Sequence, residues 1–161
     1  TGSVSHTEEV PSFLPDRFEP GTPNIPGILG LHAALCDLEQ TDMGKLHQHE
    51  LELTQYFING LMQMDPSEST LRAIGKHNTI ERTSVVSVQT LQTDMARVAY
   101  EMDDTYGIMT RVGLHCAPSA HKTLGTYPEE RSFSFGPENT HHEVDLALHA
   151  LAEITGSPYH L

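Results

Sequence analysis

The stretch of the chain with the most chemical content is residues 111–122, which read Arg-Val-Gly-Leu-His-Cys-Ala-Pro-Ser-Ala-His-Lys. Cys116 stands shortly before Pro118, and because proline ends regular structure, we expect the thiol on a loop near the surface. Arg111 and His115 are close to it in sequence, and cationic neighbours favour the nucleophilic thiolate form of a cysteine. A cysteine in an arbitrary context is more often buried and inert, so these residues alone leave both interpretations open.

The 11 histidines raise the question of a metal site. Helical ligands of one ion stand four residues apart, or belong to a Cys/His set with fixed intervals. Residues two apart on a helix point about 200° from each other, and neighbours on a strand point to opposite faces. We therefore expect no metal site. The close groupings, which do not meet these requirements, are His47 with His49, His141 with His142, and His115 with Cys116.

The chain is strongly acidic, with 22 Asp and Glu against 9 Lys and Arg and a net charge of −13. A field of that sign repels polyanions, so we expect neither nucleic acid nor an anionic membrane surface as a partner. No stretch approaches the roughly 20 apolar residues of a membrane helix. The two cysteines, Cys36 and Cys116, are far apart and indicate no disulfide framework, which suits a reducing cytoplasm. Cys36 lies in an apolar stretch and is expected in the core.

Helices and short strands have to position these residues, and 161 residues suffice for one domain with a core. Phe133 and Phe135 share one face of the last predicted strand. Apolar residues at helical spacing predict helices over 28–39, 42–64 and about 93–107, a short helix follows residue 113, and the last helix begins at a capping box of Thr140 and Glu143. β-branched and alternating residues predict strands over 70–75, 84–90, 108–113 and 131–136.

In chain order these elements are two helices, two strands, a helix, a strand, a short helix, a strand and a helix. This order is typical of an α+β fold with a small, mostly antiparallel sheet and helices on one face. Residues 1–27 are rich in proline and glycine, so we expect them to be extended and to lie over another surface. We therefore divide the chain into this extended segment over 1–27, a mostly buried bridging helix over 28–40 and a small domain over 41–161.

Three motifs resemble those of the pyridoxal-phosphate-dependent cysteine desulfurases within the class V aminotransferase family. Residues 111–126 match R-x-G-x-H-C-A-P followed by A-H-K-x-L-G-T, the active-site loop of those enzymes. Residues 17–24 are similar to R-F-E-x-G-T-P-N, and residues 136–140 resemble the strand end and helix cap before the last helix. Because the order and spacing of all three agree, the resemblance extends from residue 1 to about residue 154.

The resemblance implies a fold and an activity. The fold is the small C-terminal domain of a fold-type I pyridoxal-phosphate enzyme, preceded by an extended segment and a bridging helix. The activity is the conversion of L-cysteine to L-alanine, with the sulfur left as a persulfide on Cys116. This chemistry needs a thiolate as nucleophile and a mobile loop that delivers the sulfur onward.

The resemblance also implies roles for individual residues. Arg111 matches the arginine that binds the α-carboxylate of the substrate, a task that suits a planar bidentate donor, and His115 is assigned to the same substrate site. Gly21 and Thr22 match the pair that reaches the phosphate of the cofactor held by the other subunit, where glycine permits close approach and threonine offers donors. The family match thus implies a homodimer, with the segment over 1–27 at the active-site entrance and the dimer contact.

Two features depart from the family pattern, and the first is a missing lysine. The lysine that forms the Schiff base with the cofactor lies upstream of residue 1 in this family, and Lys45, Lys76 and Lys122 do not match its position. We therefore expect the chain to be a fragment of a longer protein, inactive in isolation. Its start, without Met or a signal pattern, favours the same expectation.

The second departure concerns Arg131. The family carries R-x-S-x-G in the strand before the last helix; with Ser134 at the serine position, Ser132 takes the place of the arginine and Arg131 stands one residue early. A shift of one residue on a strand turns a side chain to the opposite face. The spacing therefore argues against an active-site role for Arg131.

Two other interpretations remain open. A different class V enzyme, such as a selenocysteine lyase or a sulfinate desulfinase, shares the carboxylate and cofactor contacts. A non-catalytic module, either a dimerisation partner or a thiol carrier that accepts a persulfide from another protein, would use the same Cys116. In the leading interpretation the partners are L-cysteine or a similar amino acid, a second copy of the chain and a sulfur-acceptor protein. The apolar helix over 28–39 then normally packs on the absent large domain, which predicts self-association of the isolated chain.

Overall fold

A computed structural model describes residues 9–19, 21–127 and 131–158, without the side chain of Arg131. Within these ranges the chain forms five helices and four strands, in the order that the sequence predicts. No described helix has the length and apolar character needed to cross a lipid bilayer. The elements are α1 (Ile25–Gln40), α2 (Met43–Met64), β1 (Leu71–Ala73), β2 (Val85–Thr90), α3 (Met95–Asp104), β3 (Arg111–Val112), α4 (Pro118–Leu124), β4 (Arg131–Ser134) and α5 (His141–Thr155).

The chain divides into two compact units, Thr1–Met43 and Gly44–Leu161. The first unit contains α1, which begins at Ile25 rather than at residue 28. The reason is local: the side chain of Asn24 accepts the N–H of Gly27 at 3.1 Å, and Pro26 fits the first turn of a helix.

The apolar side chains of α1 are exposed, and no residue of this helix is buried. The prediction of a mostly buried helix is therefore wrong for this chain, because the described residues of the first unit supply no second helix or sheet to cover it. Cys36 is not a core residue either: it is only partly buried, and its Sγ lies 3.8 Å from each ring nitrogen of His32. The exposed apolar residues of α1 are Ile25, Ile28, Leu29, Leu31, Leu35 and Leu38.

The second unit is built on a sheet. Among its described residues four strands pair in the order β1-β2-β4-β3, and every neighbouring pair is antiparallel. One face carries Val86, Val88 and Phe133, each 5% exposed or less, and the apolar residues of α2, α3 and α5 complete the core on this side. The ring of Phe57 in α2 lies 4.8 Å from that of Phe133. The predicted α+β fold, an antiparallel sheet with helices on one face, is confirmed.

The helix α5 begins at the predicted capping box. Thr140 Oγ1 accepts the N–H of Glu143 at 3.3 Å, and the Glu143 carboxylate accepts the N–H of Thr140 at 2.7 Å. The hydrogen bonds that the carboxylate accepts from the N–H and the hydroxyl of Thr140 lower the pKa of Glu143. An apolar stripe of this helix is buried in the core with the sheet and α2; it consists of Val144, Ala147, Leu148 and Leu151.

Candidate active site

Arg111 and Cys116 lie at the edge of the sheet, where the chain leaves β3 and returns as β4. These two strands are adjacent and antiparallel, with Arg111 opposite Ser132. The chain between them, residues 113–130, is therefore an excursion whose two ends are held together by the strand pairing. We call its first part, residues 113–117, the thiol loop. The helix α4 follows this loop.

The thiol loop has an unusual backbone. Gly113 has a φ of +107°, which L side chains rarely adopt, so glycine is required there. The next four residues form a turn that is closed by a hydrogen bond of 2.8 Å from the N–H of Ala117 to the carbonyl of Leu114. The two central residues, His115 and Cys116, have φ of +47° and +61°. This conformation costs a non-glycine residue about 1 kcal/mol or more, and it persists only where the surroundings impose it.

Cys116 is exposed at the tip of this turn, as the sequence predicts. Exposure excludes the alternative of a buried, inert cysteine. The thiol is accessible to a small substrate and to a second protein, which is what a nucleophile that passes on its sulfur requires.

A row of polar side chains crosses the open face of the sheet, the face away from α2 and α5. Ser132 in β4 is opposite Arg111 in β3 and Ser87 in β2, and directly opposed residues of antiparallel strands point to the same face. The Oγ of Ser132 lies 3.1 Å from the Oγ of Ser87 and 3.4 Å from Nε2 of His115. Arg111 and His115, which the sequence assigns to substrate binding, thus reach the same face.

Arg111 is exposed, and its guanidinium has no hydrogen bond or ion pair within residues 9–19, 21–127 and 131–158. A guanidinium with free donors binds a carboxylate through two parallel hydrogen bonds. The face of the sheet that carries Ser132 therefore also carries a guanidinium suited to binding an anion.

Ser132 and Arg131 have different partners on the strands next to β4, as expected for neighbouring residues of a strand. Ser132 is the residue of β4 opposite Arg111, whereas the backbone of Arg131 is opposite Val88 and Val112. The side chain of Arg131 lies outside the described residues, so its role stays a prediction.

Four residues of this region were not predicted as functional. Ser87 and Ser132 follow from the strand register, which no sequence pattern gives directly. His121 and Thr126 belong to the A-H-K-x-L-G-T motif, but only the structure shows that both are buried, at 4% and 0% exposed. The His121 ring lies 2.9 Å from both the carbonyl of Leu114 and the hydroxyl of Thr126.

Gly21 and Thr22, which the sequence assigns to the cofactor phosphate, belong to the other compact unit. Both are exposed and border a surface cavity of about 440 Å³ that Phe18 and Ile25 also line. Gly21 has a φ of +102° and nothing within 4 Å of the position where a Cβ would stand. A phosphate can therefore approach this backbone closely.

The described residues contain no group of three or more His, Cys, Asp and Glu side chains placed to hold a metal ion. His49, one of the histidines considered for such a site, instead has its Nε2 2.9 Å from the carbonyl of Asn139. This contact ties α2 to the loop before α5.

Comparison with known proteins identifies relatives along most of the chain. A probable cysteine desulfurase from Staphylococcus epidermidis is 33% identical over 150 residues, which are 93% of this chain and 35% of that protein. A probable cysteine desulfurase from Synechocystis is 35% identical over 86% of this chain and 32% of its own length. The chain thus spans about a third of the length of these relatives.

Solved structures show the same fold. The apo structure of a cysteine desulfurase from Thermococcus onnurineus NA1 has a TM-score of 0.77 and 32% identity, and the match covers 88% of this chain and 34% of that one. A cysteine desulfurase from Escherichia coli, 24% identical with a TM-score of 0.68, shows the fold alone. The family model described as aminotransferase class-V matches residues 2–147. That match covers most of this chain, so the chain belongs to the class V aminotransferase family.

Proposed function

We propose that this chain is the sulfur-accepting part of a pyridoxal-phosphate-dependent cysteine desulfurase, which converts L-cysteine to L-alanine. The observation that carries the proposal is the exposed Cys116 on a strained turn, beside a sheet face with Arg111, whose guanidinium has no partner among the described residues. The Staphylococcus and Synechocystis relatives are described as probable cysteine desulfurases, which supports the same assignment.

In the proposed reaction, the guanidinium of Arg111 binds the α-carboxylate of L-cysteine through two parallel hydrogen bonds. His115, held near Ser132, completes the substrate side of the site. The thiolate of Cys116 attacks the substrate sulfur, so that an S–S bond forms while the C–S bond breaks. The electron pair of the broken bond goes to carbon, which takes up a proton to give the methyl group of L-alanine. Cys116 retains the transferred sulfur as a persulfide.

Pyridoxal phosphate, when bound, supplies the electron sink for breaking the C–S bond. Among the residues present, Gly21 and Thr22 fit its phosphate, because the backbone at Gly21 is open to a close approach. Lys45, Lys76 and Lys122 do not match the position of the family's Schiff-base lysine. Of these, Lys76 pairs with Glu81 at 2.8 Å, and Lys122 lies over the ring of Tyr127. The remaining contacts come from parts of the enzyme outside this chain, and the chain alone is inactive.

The proposal extends to partners. The parent enzyme is a homodimer, because Gly21 and Thr22 match residues that serve the cofactor of the other subunit. Two distant cysteines without a disulfide framework favour the cytoplasm as its location. A sulfur-acceptor protein collects the persulfide, and the exposure of Cys116 supports such a transfer. We propose L-cysteine as the substrate, because Cys116 supplies the exposed thiol that its desulfuration needs.

The experiment that tests the proposal uses protein expressed from its complete reading frame. We expect L-cysteine to yield L-alanine, and the tryptic peptide with Cys116 to gain the mass of one sulfur atom when no acceptor thiol is added. Cys116→Ala should abolish both products. The matched control is Cys36→Ala, the other cysteine of the chain, which should leave alanine formation unchanged.

Other outcomes point to the rival interpretations. Turnover of selenocysteine that survives Cys116→Ala, without turnover of cysteine in the wild type, would identify a selenocysteine lyase. A reading frame that encodes only these residues, with no alanine formed, would favour a thiol carrier. Sustained alanine production by the 161-residue chain with added pyridoxal phosphate would contradict the expected inactivity of the isolated chain.

A further inference from the structure

We propose that His121 is a positioning residue that fixes the turn carrying Cys116, with Thr126 holding its ring. The inference rests on the proposed role of Cys116 as the sulfur acceptor. It concerns how the thiol is held in place, and it assigns a task to two buried side chains that the proposed reaction does not use.

The first observation is the hydrogen bond between His121 and the turn. Nε2 of His121 lies 2.9 Å from the carbonyl oxygen of Leu114, and the same carbonyl accepts the N–H of Ala117 that closes the turn. A carbonyl oxygen cannot donate, so Nε2 carries the hydrogen. In the neutral ring with that hydrogen, Nδ1 accepts from the hydroxyl of Thr126, which is 2.9 Å away.

The second observation is where burial occurs. Along residues 113–127, all of which are described, His121 and Thr126 are buried and every other residue is partly or fully exposed. The helix α4 has seven residues, too few for stability without tertiary contacts. Its buried contacts within residues 113–127 are a polar, directional pair and not an apolar stripe. A directional contact fixes the position of a segment more closely than an apolar one.

The third observation is the strain in the turn. His115 and Cys116 both have positive φ, and an unconstrained loop of these residues relaxes to ordinary backbone angles. The bond from His121 to Leu114 holds the first carbonyl of the turn. In addition, the rings of His115 and His121 are stacked with their centroids 6.3 Å apart and their planes at 28°. His121 thus contacts the turn at two successive residues.

The test uses two conservative variants that separate the two ring nitrogens. The amide nitrogen of glutamine reaches the place of Nε2, so His121→Gln keeps a donor to Leu114. Asparagine reaches only the place of Nδ1, so His121→Asn keeps the contact with Thr126 and loses that donor. The readout in the 161-residue chain is the exchange of the Ala117 N–H with water, measured by NMR.

We expect His121→Asn to speed this exchange about tenfold, as loss of a hydrogen bond at its acceptor implies. We expect His121→Gln to stay within about twofold of the wild type. The N–H of Leu148 in the core reports on global stability and should not change in either variant. Unchanged Ala117 exchange in His121→Asn, or equal acceleration in both variants, would overturn the proposal.

Two further measurements concern the ring itself. The ¹⁵N shifts of His121 should show hydrogen on Nε2, and a ring without hydrogen on Nε2 contradicts the proposed bond. Thr126→Val removes the hydroxyl but keeps the shape, so it should shift hydrogen from Nε2 toward Nδ1 of His121 in the ¹⁵N spectrum, whereas Thr126→Ser should not. Equal ¹⁵N shifts of His121 in these two variants would exclude the part assigned to Thr126.

In the complete protein, the positioning role predicts a split between kinetic constants. His121→Asn should lower kcat for cysteine about tenfold and change KM by less, because the carboxylate-binding Arg111 lies on β3 outside the turn, although His115 lies within it. His121→Gln should restore kcat; an equal loss in both variants would contradict the role. If the wild type forms no alanine, the proposed function fails, whereas the exchange of Ala117 still decides the role of His121.

Discussion

Asp65 joins the end of α2 to the start of β1 through its carboxylate. It accepts the N–H groups of Thr70 at 2.6 Å and Leu71 at 3.0 Å, and the hydroxyl of Ser67 at 2.8 Å. Burial by itself raises the pKa of this carboxyl, but the hydrogen bonds, those from Leu71 and Thr70 first, outweigh it and hold the pKa at about 2 instead of 3.8. The charged carboxylate is therefore favoured in the folded state.

We predict that Asp65 makes the free energy of unfolding depend on pH in the acid range. Because its folded pKa is lowered, its contribution is fully present above the unfolded value, near pH 4, and is lost as the pH falls toward 2. At about 1.4 kcal/mol per pKa unit, the loss amounts to about 1–2 kcal/mol. Urea unfolding at about pH 5 and about pH 2.5 measures it.

The variant for this test is Asp65→Asn, which should be less stable than the wild type at about pH 5. Its free energy of unfolding should also change much less than that of the wild type between the two pH values. Glu153→Gln, an exposed carboxylate of α5, is the control and should behave like the wild type. A constant gap between Asp65→Asn and the wild type at both pH values would contradict the prediction.

At the same scale, the sequence predicts some site residues and not others. Cys116 and Arg111 are predictable because a motif carries them, and the exposure of Cys116 follows from Pro118. His121 and Thr126 are quoted in the same motif, but their task depends on the carbonyl of Leu114, whose direction is set by the positive φ of the two residues after it. A backbone conformation of this kind leaves no composition signal when the residues are not glycine.

For the helices and strands, too, the sequence predicts some features and not others. The order of elements is predictable from apolar periodicity, and the burial of Phe133 and Phe135 follows from their alternation. The strand predicted over 108–113 is shorter, Arg111–Val112, because Gly107 adopts a φ of +67° and the N–H of residue 108 bonds to Met102, so these residues end α3 instead. Competition between helix ends and strand pairing cannot be resolved from local sequence.

The contact between α2 and α5 depends on a glycine. A Cβ built on Gly60 would stand 2.3 Å from Cδ1 and 2.9 Å from Cδ2 of Leu148. Leu148 is fully buried and belongs to the core, so its side chain would have to shift against packed neighbours. Glycine in the middle of α2 therefore serves close helix packing at the cost of helix propensity.

We predict that Gly60→Ala destabilises the protein by about 1–2 kcal/mol. Alanine gains up to about 1 kcal/mol in helix propensity, but overpacking of a core costs about 1–3 kcal/mol. Thermal and urea unfolding measure the change. Leu148→Ala removes the obstructing atoms at a cost of about 2–5 kcal/mol. The double variant should therefore lose less stability than the sum of the losses in the two single variants. Additive effects, or a more stable Gly60→Ala, would show that the helices adjust freely.

For the whole molecule, net charge and exposed apolar side chains have opposite effects on self-association. The net charge of −13 keeps copies of the chain apart. The apolar side chains of α1 favour association, since Leu29 and Leu31 are 61% and 62% exposed and Leu35 is 50% exposed. Charge repulsion is screened by salt, with a Debye length of about 10 Å at 0.1 M, whereas apolar association is not.

We therefore predict that the isolated chain self-associates through α1 and that salt strengthens the association. Sedimentation velocity at low and high salt measures the distribution of species. The double variant Leu31→Gln with Leu35→Gln should be monomeric under conditions where the wild type is not. Leu146→Gln, an exposed apolar residue of α5, is the control and should associate like the wild type. Association that persists in the double variant would place the contact elsewhere.

The pairing of β3 with β4 has a consequence for variation within the family. The sheet is complete whether the chain between these strands is short or long, because its ends already face each other at Arg111 and Ser132. Doubling the length of such a loop adds only about 0.6 kcal/mol of closure entropy. Insertions are therefore tolerated best in residues 127–130, after Thr126 and before β4, where they leave the turn around Cys116 unchanged. A protein engineer could therefore change the length of this segment without altering the core.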